Sequence, residues 1–276
     1  MDLLYSTDLH GHPQRYKRLL DFAIEQKINL IHLGADLLPK GMDLVLQQER
    51  FIKNDLQAFY GACKKEGITV LAFFGNDDIY LLKPTFRKYC GKLLDETPYA
   101  QDGYEFKAYG FVPDYPFTMK AACKLDSPGW KIPESYYGDP VEVRKKHSHL
   151  EFYDIPDIDK YFNSKGTIQE DLNKIKVTNK TIMAIHSPPS GVGLDICRDR
   201  RAVGSQAVYN FIKKTNAAVV LAGHIHESPD MTGLWNIKIG KTVVVQPGQK
   251  EDSLTVVIIK ILGNEVELER HHLEIY

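Results

Sequence analysis

Residues 2–36 have the sequence DLLYSTDLHGHPQRYKRLLDFAIEQKINLIHLGAD. The largely apolar run at residues 2–7 predicts a buried strand, and a second apolar run at residues 30–33 predicts another. Between them, apolar side chains recur at helical spacing, at Tyr16, Leu19, Leu20, Ala23 and Ile24. This stretch therefore predicts a strand, a helix and a second strand.

The same alternation continues along the chain. Residues 43–65 and 79–89 are predicted to be helical, and the apolar pattern of residues 68–74 predicts a strand between them. A third cycle follows in the strands predicted at residues 181–185 and 217–221, with an apolar helical stripe between them at Ala207, Val208, Phe211 and Ile212. After residue 234, short apolar runs separated by glycine turns predict antiparallel strands. The pattern indicates an α/β fold, with helices packed on a largely parallel sheet.

Length and composition indicate one globular folding unit. The chain has 276 residues, of which 43% are hydrophobic and 26% charged, and its formal net charge of −1 gives no overall field to attract nucleic acid or an anionic membrane. Its four cysteines are widely separated, which argues against both a disulfide framework and a thiolate zinc site. Without a basic leader or an apolar stretch of about 18 residues, the expected location is the cytoplasm.

The periodicity ends between residues 113 and 165, a segment rich in proline and aromatic side chains. A long segment of this kind inside a compact domain is usually functional, and its aromatic content argues against disorder. We interpret it as an insertion into the single domain of residues 1–276. A lid or wall over the active site is one hypothesis, and a structural excursion or an oligomer contact are the others.

Five short polar clusters each follow a predicted strand. They are Asp8-Leu9-His10, Gly34-Ala35-Asp36, Gly75-Asn76-Asp77-Asp78, His186, and Gly223-His224-Ile225-His226. In an α/β sheet the carboxyl ends of parallel strands lie at one edge, so these side chains should converge in one crevice. Carboxylates, imidazoles and an amide suit manganese, iron or zinc better than calcium or magnesium. The sequence therefore predicts a metal site.

Each cluster has an ordinary explanation when it is considered alone. Gly75 and Asn76 could form a turn after a strand, and an isolated His186 is more often a packed core histidine than a ligand. The joint occurrence of all five clusters at the ends of predicted strands favours metal binding.

The order of the clusters resembles the calcineurin-like metallophosphoesterase superfamily, whose pattern is DxH, GDxx, GNH[ED], a lone histidine and GHxH. The resemblance covers most of the chain apart from the insertion. It implies a four-layer sandwich of two mixed sheets flanked by helices, with two divalent ions of manganese, iron or zinc as cofactor. It further implies that Asp36 bridges the two ions, that the first ion is held by Asp8, His10 and His226, and that the second is held by Asn76, His186 and His224.

Two positions depart from that pattern. Ala35 separates Gly34 from Asp36, which leaves the carboxylate available. Asp77 stands where the pattern has a catalytic histidine, and a carboxylate beside two cations is ionised and a poor proton donor. His12 is therefore an alternative donor, along with the leaving group of the substrate itself, and Asp77 and His12 are the catalytic candidates.

The resemblance implies a metal-dependent phosphoesterase in which a hydroxide bridging the two metals attacks the phosphorus. The expected substrate is a phosphodiester or phosphomonoester of a small organic or nucleotide compound, because the net charge gives no attraction for a polyanion. Arg198, Arg200 and Arg201 are candidate phosphate-binding residues, although they could also form a solvated basic loop. The alternatives are a DNA or RNA nuclease, which needs a groove lined by lysine and arginine, and a non-catalytic protein-interaction scaffold.

Overall fold

The computed structural model describes residues 1–113, 115–131, 138–147, 149–263 and 265–275. The strands are β1 (Asp2–Ser6), β2 (Leu30–Leu33), β3 (Thr69–Leu71), β4 (Tyr99–Gln101), β5 (Tyr104–Tyr109), β6 (Val112–Pro113), β7 (Cys123–Lys124), β8 (Val141–Lys146), β9 (His149–Asp154), β10 (Thr181–Ile185), β11 (Val219–Leu221), β12 (Asn236–Ile239), β13 (Thr242–Val245), β14 (Ser253–Leu262) and β15 (Glu265–Glu274). The helices are α1 (Pro13–Glu25), α2 (Leu44–Phe51), α3 (Gln57–Lys65), α4 (Lys83–Tyr89), α5 (Ile158–Asn163), α6 (Ile168–Leu172), α7 (Gln206–Lys214) and α8 (Ser228–Thr232). A π-helical turn, Ile52–Leu56, joins α2 to α3.

Two mixed sheets form the centre of the molecule. The first has the order β15-β14-β1-β2-β3, and the second has the order β12-β13-β11-β10-β5-β4. Within the first sheet β1, β2 and β3 are parallel, whereas β14 pairs antiparallel with both β1 and β15. Within the second sheet β5, β10, β11 and β13 are parallel. The parallel strands expected from the sequence are thus divided between two sheets.

The burial pattern shows that these sheets are the inner layers of a four-layer α/β sandwich. Leu3 and Tyr5 of β1 pack between the sheets, against Ile182 and Ala184 of β10. Because side chains alternate along a strand, Leu4 faces the other way and packs against α1 and α3. Met183 and Ile185 likewise face α7 on the opposite surface. This architecture confirms the predicted fold class.

Two details of the predicted elements are wrong. The apolar run at residues 68–74 contains only a three-residue strand, Thr69–Leu71, because the chain then turns towards the polar clusters. Ile24, placed on the buried stripe of α1, is 44% exposed. Five residues turn a helix by about 500°, so Ile24 lies roughly 140° around the axis from the fully buried Leu19. No helix among the described residues is long and apolar enough to span a membrane.

The segment at residues 113–165 forms a small core together with Val112. Val112, Tyr115, Cys123, Leu125 and Phe162 are buried together, and β8 and β9 form an antiparallel hairpin beside them. Residues 114, 132–137 and 148 of the predicted insertion lie outside the described residues. A role for this segment as a lid stays a prediction.

Candidate metal centre

The loops that follow β1, β2, β3, β10 and β11 meet at one edge of the sandwich. They are tied to one another by backbone hydrogen bonds, including those from Asp8 N to Ala35 O at 3.0 Å, from His10 N to Asp36 O at 2.9 Å and from Gly223 N to His186 O at 3.0 Å. The first three loops belong to one sheet and the last two to the other. The structure thus brings together the seven residues that were predicted from the sequence to be metal ligands.

Asp8, His10 and His226 form the first group of potential ligands. Each offers one ligand atom, and these atoms lie within 4.8 Å of one another. His10 Nε2 is 3.1 Å from His226 Nε2, which in turn is 3.3 Å from Asp8 Oδ1. Two imidazole nitrogens and a carboxylate oxygen therefore point towards a common centre.

Asp36, His186 and His224 form the second group, again with one ligand atom each within 4.8 Å of the others. His186 Nε2 lies 3.2 Å from Asp36 Oδ2 and 2.9 Å from Asn76 Oδ1. Asn76 thus adds an amide oxygen to this group. Asp36 also occurs in a third group with His10 and Asp77, which places its carboxylate between the first two groups.

The backbone at these positions is strained. Asp8, His10, Asp36 and His224 all have positive φ, between 49° and 70°. Non-glycine residues seldom adopt this conformation, and it is found mostly where the surrounding structure imposes it at a functional site. Here it turns four candidate ligands back towards the edge of the sandwich.

Gly75 and Gly223 allow the carboxylates to approach closely. A Cβ atom at Gly75 would lie 2.3 Å from Asp36 Oδ1, and one at Gly223 would lie 2.5 Å from Asp8 Oδ2. Both distances are far below van der Waals contact. The glycine in each motif is therefore required by the neighbouring carboxylate.

Buried polar side chains donate hydrogen bonds to backbone carbonyl groups of the loops that carry the candidate ligands. The guanidinium group of Arg15 donates to the carbonyl oxygens of Asp8, Leu9, Lys250 and Glu251. Gln246 Nε2 donates to Ile225 O at 2.5 Å, between the two histidines of the last motif. These contacts fix the turns that carry Asp8 and His226.

The electrostatic environment favours a charged Asp8 beside neutral His10 and His224. Burial opposes the ionisation of Asp8, but the neighbouring His226, His186 and His10 hold its pKa well below the ordinary value. Burial also lowers the pKa of both His10 and His224 to about 3, helped by Lys40 and His186 respectively. A neutral imidazole is the form that ligates a metal.

His186 behaves differently because carboxylates surround it. Burial disfavours its charged form, but Asp36, Asp8 and Asp77 outweigh this effect and raise the pKa of His186 to about 9. The site thus attracts positive charge at the position of His186 Nε2. A divalent cation and a proton would compete for that nitrogen.

The donor set fits divalent transition metals. Four imidazoles with carboxylate and amide oxygens are ligands suited to manganese, iron or zinc. The Nδ1 atoms of His10 and His186 are buried and make no hydrogen bond within the described part of the chain, whereas their Nε2 atoms contact His226 and Asn76 respectively. Both Nε2 atoms face the cluster.

The other predicted site residues differ in how close they lie to the cluster. The backbone N–H of Asp77 donates a hydrogen bond to Asp36 Oδ1 at 2.9 Å, and Asp77 Oδ2 lies 3.9 Å from His10 Nδ1. His12 is exposed at the start of α1, and its Nδ1 lies 3.1 Å from Gln14 Oε1.

Arg200 is exposed, and Arg201 pairs with Asp199 in its own loop at 2.7 Å. Arg198 lines a cavity of about 550 Å³ that also adjoins His226.

Two residues beside the cluster were missed by the sequence analysis. Lys40 Nζ lies 2.6 Å from Asp77 Oδ2, and Tyr115 Oη accepts a hydrogen bond from Asn76 Nδ2 at 3.3 Å. Partial burial disfavours the charge of Lys40, but Asp77 and Asp36 raise its pKa, so it is a cation near neutrality. Lys40 lies only four residues after Asp36, so its place near the cluster could have been predicted from the sequence. Tyr115 comes from the aperiodic segment, where no local pattern indicates its position.

Comparison with known proteins identifies relatives at the level of family and fold. A family model described as calcineurin-like phosphoesterase matches residues 1–228. One solved structure is 16% identical over 98% of each chain, with a TM-score of 0.61. The TT1561 protein of Thermus thermophilus is 18% identical over 97% of each chain, with a TM-score of 0.55. No curated protein matches the chain.

Proposed function

The chain belongs to the calcineurin-like phosphoesterase family, and on that premise we propose that it hydrolyses a phosphodiester or phosphomonoester of a small organic or nucleotide compound in a metal-dependent reaction. The observation that carries the proposal is the convergence of two groups of ligand atoms, each within 4.8 Å, at the junction of the two sheets. Membership in the family supports the reaction type.

The proposed centre takes two divalent ions. Asp8, His10 and His226 would hold the first, and Asn76, His186 and His224 the second. The carboxylate of Asp36 would lie between them. When bound, two such ions lower the pKa of a water molecule towards neutrality and offset the charge of phosphoryl oxygens.

The cavity next to His226 supports a small substrate. Its volume of about 550 Å³ lies in the range of small-molecule sites. Its walls carry both signs of charge: Arg198 and Lys250 with Glu227, Asp230, Glu251 and Asp252. A groove for nucleic acid would be lined mainly by lysine and arginine, so the mixed walls favour a small phosphoester over a polynucleotide.

The test is hydrolysis of bis(p-nitrophenyl) phosphate and p-nitrophenyl phosphate by metal-stripped protein resupplied with manganese. The Asp36→Asn and His186→Ala variants should lose at least about 100-fold in kcat/KM, since each removes a ligand. His149→Ala, which changes an exposed histidine of β9, is the matched control and should keep wild-type activity. Folded, manganese-loaded wild-type protein that turns over neither ester would contradict the proposal.

A further inference from the structure

Lys40 lies beside the cluster on the loop that follows β2. Its Nζ atom is 2.6 Å from Asp77 Oδ2, and the same oxygen is 3.9 Å from His10 Nδ1. The side chain of Lys40 is 51% exposed and therefore lies at the surface of the molecule. The ammonium group of Lys40 thus contacts Asp77, and Asp77 in turn lies close to the candidate metal ligand His10.

Asp77 is a fixed partner for this cation. Its Oδ1 atom accepts a hydrogen bond from Asn76 Nδ2 at 2.9 Å, and its backbone N–H donates to Asp36 Oδ1 at 2.9 Å. One carboxylate oxygen is thus engaged with the cluster and the other with Lys40. The position of Asp77, and with it that of the ammonium group, is set by the ligands themselves.

Gln48 of α2 fixes the two loops relative to each other. It is fully buried, and its Nε2 atom donates to Pro39 O at 3.1 Å and to Asp77 O at 2.7 Å. Its Oε1 atom accepts from Ile79 N at 2.9 Å. An ordinary exposed ion pair contributes little, partly because two long side chains must be held in one geometry. Here the backbone on both sides of the pair is already fixed.

We propose that Lys40 binds the phosphoryl group of the substrate, with Asp77 as the positioning residue that holds its ammonium group beside the cluster. This inference rests on the proposed function. An ammonium group has three N–H donors, and one contact to Asp77 leaves two for phosphate oxygens. Lysine serves phosphate sites as a point charge, which suits a half-exposed position at the rim of the cluster.

Binding of inorganic phosphate to manganese-loaded protein, measured by isothermal titration calorimetry, tests the inference. Lys40→Met keeps the length of the side chain but removes its charge, and it should weaken phosphate binding by about 10- to 100-fold because a charge-assisted contact is lost. Lys40→Arg should stay within about threefold of wild type, since it keeps the charge. Lys53→Met is the matched control, because Lys53 is 41% exposed and pairs with Glu49, which is not a residue of the cluster. Manganese content should be unchanged in all three variants.

The Asp77→Asn background tests the positioning role. There, Lys40→Met should weaken phosphate binding by a smaller factor than in the wild-type background, because the ammonium group is no longer held. Equal phosphate affinity in Lys40→Met and wild type, or equal factors in both backgrounds, would overturn the inference. Failure of the proposed function would show differently, as a wild-type protein that loads manganese but hydrolyses no phosphoester.

Discussion

Tyr115 and Asp77 together orient the Asn76 side chain towards His186. The amide nitrogen of Asn76 donates to Asp77 Oδ1 and to Tyr115 Oη, and this leaves the amide oxygen 2.9 Å from His186 Nε2. Tyr115 Oη itself donates to Met119 O at 3.1 Å, so the phenol is held on both sides. A residue of the aperiodic segment thus orients a candidate metal ligand.

Replacement of Tyr115 by phenylalanine should weaken binding at the second metal position. Loss of a hydrogen bond that orients a ligand typically costs 10- to 100-fold in metal affinity. Titration of metal-free protein with manganese would measure it, with Tyr153→Phe on the hairpin as the control. Unchanged affinity for both ions in Tyr115→Phe would show that Asn76 keeps its orientation without the phenol.

His32 makes the fold sensitive to acid independently of the cluster. It is fully buried in β2 among Tyr5, Phe73 and Phe106, and burial lowers its pKa to about 4. Because its pKa in the unfolded chain is near 6.5, protonation favours unfolding. The stability that His32 contributes is present above about pH 6.5 and is lost as the pH falls towards 4.

In metal-free protein, the free energy of unfolding should therefore fall more steeply with acid in wild type than in His32→Leu. The difference between pH 7.5 and pH 4.5 should reach roughly 2–3 kcal/mol, the equivalent of a shift of about two pKa units. Urea denaturation at the two pH values measures it, and the other titrating groups cancel in the comparison. Parallel pH profiles for the two proteins would refute the assignment.

At the scale of elements, Asp126 connects the aperiodic segment to the start of α7. Its buried carboxylate accepts hydrogen bonds from the backbone N–H groups of Gln206 and Ala207 at 3.0 and 3.1 Å, and from the hydroxyl of Ser205. A carboxylate at a helix N-terminus satisfies unpaired N–H groups and complements the helix dipole.

Substitution of Asp126 by alanine should lower the free energy of unfolding by about 2–4 kcal/mol, because it leaves buried donors without partners. Asp159→Ala, in the exposed first turn of α5, is the control and should change stability by less than about 0.5 kcal/mol. Thermal or urea unfolding distinguishes the two. Equal stability of both variants would mean that α7 does not need this cap.

Most elements could be predicted because their signals are local. The stripes of α1 and α7 and the apolar runs of β1, β2 and β10 reflect periodicities that hold wherever one face is buried. The division of the parallel strands between two sheets is not a local property, since β1 and β10 have the same kind of apolar sequence. The family resemblance, and not periodicity, implied the second sheet. The small core at Val112, Tyr115 and Phe162 joins distant positions without periodic spacing, and no pattern indicated it.

The candidate ligands could be predicted from the sequence because they belong to motifs at the ends of strands. Asp8, Asp36 and His186 are each placed by the strand before them. Their supports are of another kind: Arg15, Gln48 and Tyr115 act through backbone carbonyls or a single side chain from distant loops. Such contacts leave no spacing in the sequence, so they become visible only in the folded chain.

For the whole molecule, the cluster joins the two sheets at one edge. Asp8, Asp36 and Asn76 come from loops of the first sheet, and His186, His224 and His226 come from the second. A cation bound to both sets favours the folded chain by mass action, by about 2.7 kcal/mol at a free concentration 100 times the dissociation constant.

Removal of metal should therefore lower the melting temperature by at least about 5 °C, and manganese should restore it in proportion to the logarithm of its concentration. Differential scanning calorimetry with and without a chelator measures the effect. His186→Ala should show a smaller restoration and His149→Ala a normal one. A melting temperature that is insensitive to manganese would mean that the cluster does not bind metal in the folded state.

The measurement that tests the dinuclear centre most directly is anomalous diffraction from crystals grown with manganese. We expect two peaks about 3.5–4 Å apart. One should lie among Asp8, His10 and His226, and the other among Asn76, His186 and His224, with Asp36 between them. A single peak, no peak at this edge of the sandwich, or peaks bound by other residues would contradict a dinuclear centre built from these seven side chains.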